Sequence, residues 1–166
     1  MMFGLPAACY AMYRAARPER RRAVGGLLAS MGLTSFLTGV TEPTEFTFMF
    51  LAPLLYAVHA VLTGIAMVIM DAFGAHLGFS SSAGLFDFVL NLNRATNPWW
   101  LLPIGAVYAA LYYGLFRFCI VRFNLNTPGR EVDAPSSERA VPIRESDRAL
   151  AFVKALGGAA NLVTVD

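Results

Sequence analysis

Four stretches of this chain run for long distances with little or no charge: residues 23–40, 46–70, 72–92 (interrupted by Asp87) and 99–116. A helix crosses the hydrocarbon of a bilayer with about 20 apolar residues, so the pattern predicts an all-α, polytopic integral membrane protein. The stretches differ in kind. Residues 46–70 and 99–116 are continuous and rich in Leu, Phe, Tyr and Val, as spanning helices are. Residues 72–92 contain Gly74, Gly78, Gly84 and the run Ser80, Ser81, Ser82. This predicts a re-entrant or broken segment enclosed by protein, because irregular backbone in a membrane must find its hydrogen bonds internally. Pro98 followed by Trp99 and Trp100 predicts an aromatic belt where the last helix enters. The N-terminal stretch is apolar through Tyr13 and then basic, which reads as the end of a spanning helix. No basic residue precedes LPAAC (residues 5–9), so a signal peptide is not expected there.

After Phe123 the pattern changes. Residues 124–147 are dense in Pro, Gly, Ser and charges of both signs, the composition of a flexible linker. Ser146 or Asp147 can then cap a helix at 148–156, closed by Gly157 and Gly158, and residues 162–165 read as a strand. The expected organisation is a membrane body over 1–123, a linker over 124–147 and the truncated start of an α/β domain over 148–166, too short to bury a core.

Composition supports the membrane reading. The chain of 166 residues is 57% hydrophobic and 14% charged with a net charge of +2, which excludes disorder and a nucleic-acid binder as the main character. Basic residues flank the apolar body: Arg14, Arg17, Arg20, Arg21 and Arg22 before it, Arg117, Arg122 and Arg130 among those after it. Both flanks are therefore expected on the cytoplasmic side, with an even number of crossings between. Arg20 to Arg22 read as a solvated loop that anchors this topology. Cys9 and Cys119 lie in apolar surroundings without ligand spacing, so they read as small buried hydrophobes. No metal, redox site or cofactor is expected.

The candidate chemistry sits in TGVTEPTEF, residues 38–46. An ionised carboxylate at the bilayer centre costs about 2.5 to 3.5 kcal/mol on an insertion scale, so Glu42 and Glu45 need compensation if they lie there. Pro43 disfavours helical backbone at Glu42 and suits the first residue of a following helix. Glu42 would then be the N-cap and Glu45 the third helical residue, both near free backbone N–H groups. Such a broken helix suits a substrate site at mid-membrane, but an exposed turn with two ordinary capping carboxylates fits the residues equally well. His59, inside an apolar run, reads as a hydrogen-bonded interior histidine. His76, Asp87 and Asn91 fall in the glycine-rich stretch, where polar groups can line a cavity.

Several of these stretches carry a resemblance: LPAACYAMYRAARPERRRAVGG, TSFLTGVTEPTEFTFMFLAPLLYAVHAVLTG, HLGFSSSAGLFDFVLN and ALYYGLFRFCIVRFNLNTPGRE. Together they resemble the IIC permease component of the bacterial phosphoenolpyruvate-dependent phosphotransferase system, glucose and N-acetylglucosamine branch. The resemblance runs from about Leu5 to Glu131, with G-x-TEP-x-EF and TPGRE in order, and ALGGAANLVTVD resembles the opening of a IIB domain. It implies a multi-pass permease of the bacterial plasma membrane with a cytoplasmic C-terminal tail, which carries a hexose or N-acetylhexosamine inward. It also implies work with IIB and IIA phosphocarrier domains and indirectly with HPr, and assembly as a homodimer. The sugar's 6-hydroxyl would be phosphorylated from a phosphocysteine of IIB. Glu42 matches the family's glutamate on a re-entrant hairpin that contacts the sugar and assists that hydroxyl, so Glu42 is the expected catalytic residue, with Gly39 and Thr41 as motif neighbours. Substrate contacts are expected from Gly39, Thr41, Glu42, His76, Asp87 and Asn91.

Thr44 stands where the family usually has an apolar residue. The resemblance covers the C-terminal half of such a membrane domain, and neither Cys9 nor Cys119 matches the IIB donor cysteine, so the chain alone is not expected to transport or phosphorylate. Two other readings stay open: an ion-coupled secondary transporter using Glu42 and Asp87 as a proton relay, and a non-functional fragment.

Overall fold

The computed structural model describes residues 2–78, 82–131 and 154; among them the chain is helical, with no strand and one isolated antiparallel bridge between His76 and Thr96. The chain divides into a unit of Met1–Val132 and a second of Asp133–Asp166. In the second unit only Lys154, helical and exposed, is described. The expected strand at 162–165, the rest of the expected helix at 148–156 and the linker from 132 onward lie outside the described residues.

Helix α1 (Gly4–Ala15) is buried on nearly every side, with Leu5, Ala8 and Met12 fully covered. It packs between α2 (Pro18–Thr38) and α6 (Leu101–Arg122). Small residues make the approach possible. A Cβ on Gly4 would stand 2.8 Å from the Tyr112 ring of α6, so any larger residue there would push the helices apart.

Arg20 to Arg22 are not in a loop, as the sequence suggested. Pro18 opens α2 at a position where its missing N–H is not needed, and the arginines fall in the helix's first turns. The Arg21 guanidinium turns back on α1, donating to the carbonyls of Arg14 at 3.3 Å and Ala16 at 3.2 Å. It thereby satisfies acceptors that a helix end leaves open.

The apolar stretch 46–70 is not one helix. It divides at Ala52 into α3 (Glu42–Leu51) and α4 (Pro53–Ala72), with Ala52 extended at φ −147°, ψ 72°. Pro53 has no N–H for the carbonyl of Met49 and drives its predecessor out of helical backbone. Among the described residues, two helices are long and apolar enough to cross a membrane, Pro53–Ala72 and Pro98–Arg122. Residues 72–92 are interrupted, ending in a six-residue helix α5 (Leu85–Leu90).

The core joins α3, α4 and α6. Phe48 meets Phe116 edge-on at 5.4 Å, with Leu55 and Tyr112 buried beside them. The opposite faces of α4 and α6 expose Val61, Val68, Val107 and Phe118, apolar surface of the kind that marks a membrane or protein contact.

Residues 124–131, which composition assigns to the linker, are folded. The Thr127 carbonyl accepts from Arg130 N at 2.7 Å, closing a turn with Gly129 at φ 81°. Gly129 accepts from the amide of Arg17 at 3.1 Å, and Arg130 donates to Ala15 O at 3.1 Å and Asn124 Oδ1 at 2.6 Å. The turn is thereby fastened to the corner between α1 and α2.

Candidate functional site

The turn between α2 and α3 carries three of the expected site residues, and its backbone is satisfied amide by amide. Gly39, left-handed at φ 76°, ends α2 by donating to Ser35 O at 3.1 Å. Val40 N–H donates to Thr38 Oγ1 at 3.2 Å. Thr41 N–H donates to Glu42 Oε2 at 3.0 Å. The other oxygen of Glu42, Oε1, has no partner among the described residues, and the residue is exposed on this chain.

The helix register differs by one residue from the expected one. Thr41 is the N-cap of α3, since its carbonyl accepts from both Thr44 N and Glu45 N at 3.0 Å. Glu42 is therefore the first helical residue, with Pro43 behind it. First-turn amides have no intrahelical acceptor, so Pro43 costs nothing there. Glu42 still meets a free N–H, but at its own N-cap and not deeper in the helix.

Gly39 also locates the turn in space. A Cβ on it would lie 2.5 Å from Gly84 N and 2.6 Å from the carbonyl carbon of Ala83. The two backbones touch, which only glycine allows. This contact brings the start of α5 beside the turn, and Asp87 with it. Asp87 is buried, accepts from Ser82 N–H at 2.5 Å, and is approached by Asn91 Nδ2 at 3.5 Å. The fold thus sets Gly39 against the segment that leads into α5, the helix that carries Asp87 and precedes Asn91. His76 is held elsewhere: it exchanges backbone hydrogen bonds with Thr96 and pairs with Asp71 at 3.2 Å, exposed.

A cavity of about 330 Å³ opens beside α5, lined largely by apolar groups, with Thr63, Asp87, Tyr108 and Tyr112 as its polar members. Gly84 lines it too and so stands between cavity and turn. Glu42, Thr41, His76 and Asn91 do not line it. Among the described residues, no three His, Cys, Asp or Glu side chains converge as a metal site requires.

Glu45 is not the simple cap that its position suggested. Its Oε1 lies 3.3 Å from His59 Nε2 of α4. His59 is buried and hydrogen-bonded, as an interior histidine should be, and its Nδ1 is 3.0 Å from the Tyr112 hydroxyl of α6. The sequence places the acid and the imidazole in one apolar stretch, but only the reversal at Ala52 makes them meet. Thr44 is fully buried and accepts from Cys9 Sγ at 3.7 Å, so the hydroxyl found at this usually apolar position has a partner.

Residues 1–64 match the family described as "Phosphotransferase system, EIIC". The N-acetylglucosamine-specific EIIC component of Streptomyces coelicolor is 62% identical over 131 residues, 79% of this chain and 32% of that protein. The N-acetylglucosamine-specific EIICB component of Bacillus subtilis is 49% identical over 170 residues, all of this chain and 37% of the relative. The glucosamine-specific EIICBA component of the same organism is 43% identical over 167 residues, again all of this chain and 26% of the relative. The chain thus spans 26% to 37% of the length of these relatives.

Proposed function

Because the chain belongs to the phosphotransferase-system EIIC family, of which it spans part, we propose that it forms the later portion of a sugar permease's membrane domain and leads into a IIB domain. The substrate is N-acetylglucosamine or a related glucose-type sugar, carried across the bacterial plasma membrane and phosphorylated on its 6-hydroxyl. The protein works with IIB and IIA phosphocarrier domains, indirectly with HPr, as a homodimer whose C-terminal tail is cytoplasmic. The relatives' names support the tail assignment: the one named EIIC aligns with 79% of the chain, whereas those named EIICB and EIICBA align with all of it.

The observation that carries the mechanism is the Glu42 carboxylate, one oxygen held by its neighbour's amide and the other open, in a turn fixed by the contact of Gly39 with Gly84. Phosphoryl transfer asks the protein mainly to position the nucleophile and steady its charge. A carboxylate within hydrogen-bond reach of the sugar hydroxyl orients it and takes its proton as the phosphorus–oxygen bond forms and the donor thiolate leaves. Gly39 and Thr41, on the same re-entrant hairpin, and Asp87 and Asn91, on the segment that Gly39 touches, are the further groups assigned to the sugar. His76 is assigned a sugar contact only from its place in the glycine-rich segment.

A graft tests the reading: this chain replaces the aligned part of the Streptomyces coelicolor relative, and membranes are assayed for phosphoenolpyruvate-dependent phosphorylation of N-acetylglucosamine. We expect the graft to be active and Glu42→Gln to lower turnover by about 10²- to 10⁴-fold, the range of a general base, without loss of insertion. Near-parental turnover in Glu42→Gln would refute the catalytic role. Uptake abolished by collapsing the proton gradient, with no sugar phosphate formed, would instead favour ion-coupled transport.

A further inference from the structure

Glu45, His59 and Tyr112 belong to three different helices, α3, α4 and α6, and they form one line of polar atoms through an otherwise apolar core. Glu45 Oε1 is 3.3 Å from His59 Nε2, His59 Nδ1 is 3.0 Å from the Tyr112 hydroxyl, and that hydroxyl is 3.5 Å from Thr63 Oγ1. Both His59 and Tyr112 are buried, at 4% and 3% exposure. The direction of the line follows from its ends. A carboxylate only accepts, so Nε2 carries the proton; in the neutral ring Nδ1 then accepts from the tyrosine, whose oxygen accepts from Thr63. Every atom in the line has a role that its neighbour completes.

This is an expensive arrangement to keep in a membrane core, where an unsatisfied polar group costs more than in water. The aromatic rings of Phe48, at 5.8 Å, and Tyr112, at 5.9 Å, meet the imidazole at steep angles and confine it. What the line holds is the first turn of α3. Glu45 and Glu42 are three residues apart on that turn, and the amide of Glu45 is bonded to the carbonyl of Thr41. Of the helices around it, α4 and α6 are the long, apolar ones. We infer that Glu45, His59 and Tyr112 are positioning residues, which tie the first turn of α3 to α4 and α6 and so fix the orientation of the turn at 39–42 and of the Glu42 carboxylate. The inference rests on the function proposed above only for its kinetic consequence; the fixing of the turn stands apart from it.

The test uses the graft with Cys9 and Cys119 replaced by alanine and Thr41→Cys added as a reporter. The first measurement is the alkylation rate of that cysteine in membranes; the second is kcat and KM for sugar phosphorylation in the graft without the reporter. Glu45→Leu and His59→Leu should raise alkylation about tenfold, and lower kcat about tenfold or more while KM changes less than about twofold, the signature of lost orientation. Glu45→Gln, whose amide can still hydrogen-bond the imidazole, should restore both values to within about threefold of the parent. Tyr112→Phe, which removes one hydroxyl, should fall between them. Unchanged alkylation in Glu45→Leu and His59→Leu would overturn the inference whatever the kinetics. Failure of Glu45→Gln to rescue would also overturn it, since it would mark the losses as general damage. Raised alkylation with rescue, beside a Glu42→Gln graft of undiminished turnover, would uphold the positioning and defeat the catalytic reading of Glu42.

Discussion

At Gly39 two constraints fall on one residue. Its backbone is left-handed, φ 76°, and its hydrogen faces the backbone of residues 83 and 84. Left-handed geometry alone costs an ordinary residue about 1 to 2 kcal/mol, and the contact adds to it. Gly39→Ala should therefore lower the detergent-solubilised melting temperature of the graft. Gly26→Ala is the comparison, because nothing lies within 4 Å of a Cβ there; in mid-helix it should be neutral or stabilise by up to about 1 kcal/mol. Equal effects of the two changes would show that the Gly39–Gly84 contact is not tight. Glu42 was recognisable as a candidate from its place before Pro43 and in the motif. The partner of Glu45 was not, because nothing near Glu45 in sequence points to a residue on the next helix.

At the scale of elements, proline and arginine decide more than hydropathy does. A search for charge-free windows joins residues 46–70, whereas Pro53 divides them. The division makes α3 a separate three-turn helix that can turn its acid toward α4. Arg130 does comparable work at the other end, linking Ala15 O, Asn124 Oδ1 and Leu125 O. Arg130→Ala should cost about 1 to 3 kcal/mol for the carbonyls left without a donor. Amide exchange across residues 124–131 should rise in this variant while that of α4 stays as it was. Linker composition concealed this turn, since Pro, Gly and charged residues build a fixed turn as readily as a free chain. What separates the two is a partner distant in sequence.

For the molecule as a whole, the two long apolar helices predict that the chain stays with membranes under alkaline carbonate extraction; release would contradict a spanning reading. The bond from Arg17 N–H to Gly129 O sets the corner between α1 and α2 beside the turn after α6, so a spanning reading predicts that these two points face the same side of a membrane. Single cysteines at 17 and 131 should therefore react with an impermeant maleimide from the same face, and opposite accessibility would refute this arrangement. Much was settled by the sequence alone: an apolar helical body, a polar tail, the interruption of residues 72–92, and an acid at the start of a helix. Each of these depends on neighbours a few positions apart, through hydropathy, proline's missing donor or glycine's freedom. Only the tertiary structure decided that Gly39 rests on Gly84, that Glu45 meets His59 and His59 meets Tyr112, and that the turn after α6 locks onto α1. Those pairings join residues 14 to 115 positions apart, and in an apolar interior a polar group is placed by whichever distant partner can satisfy it, which no local pattern records.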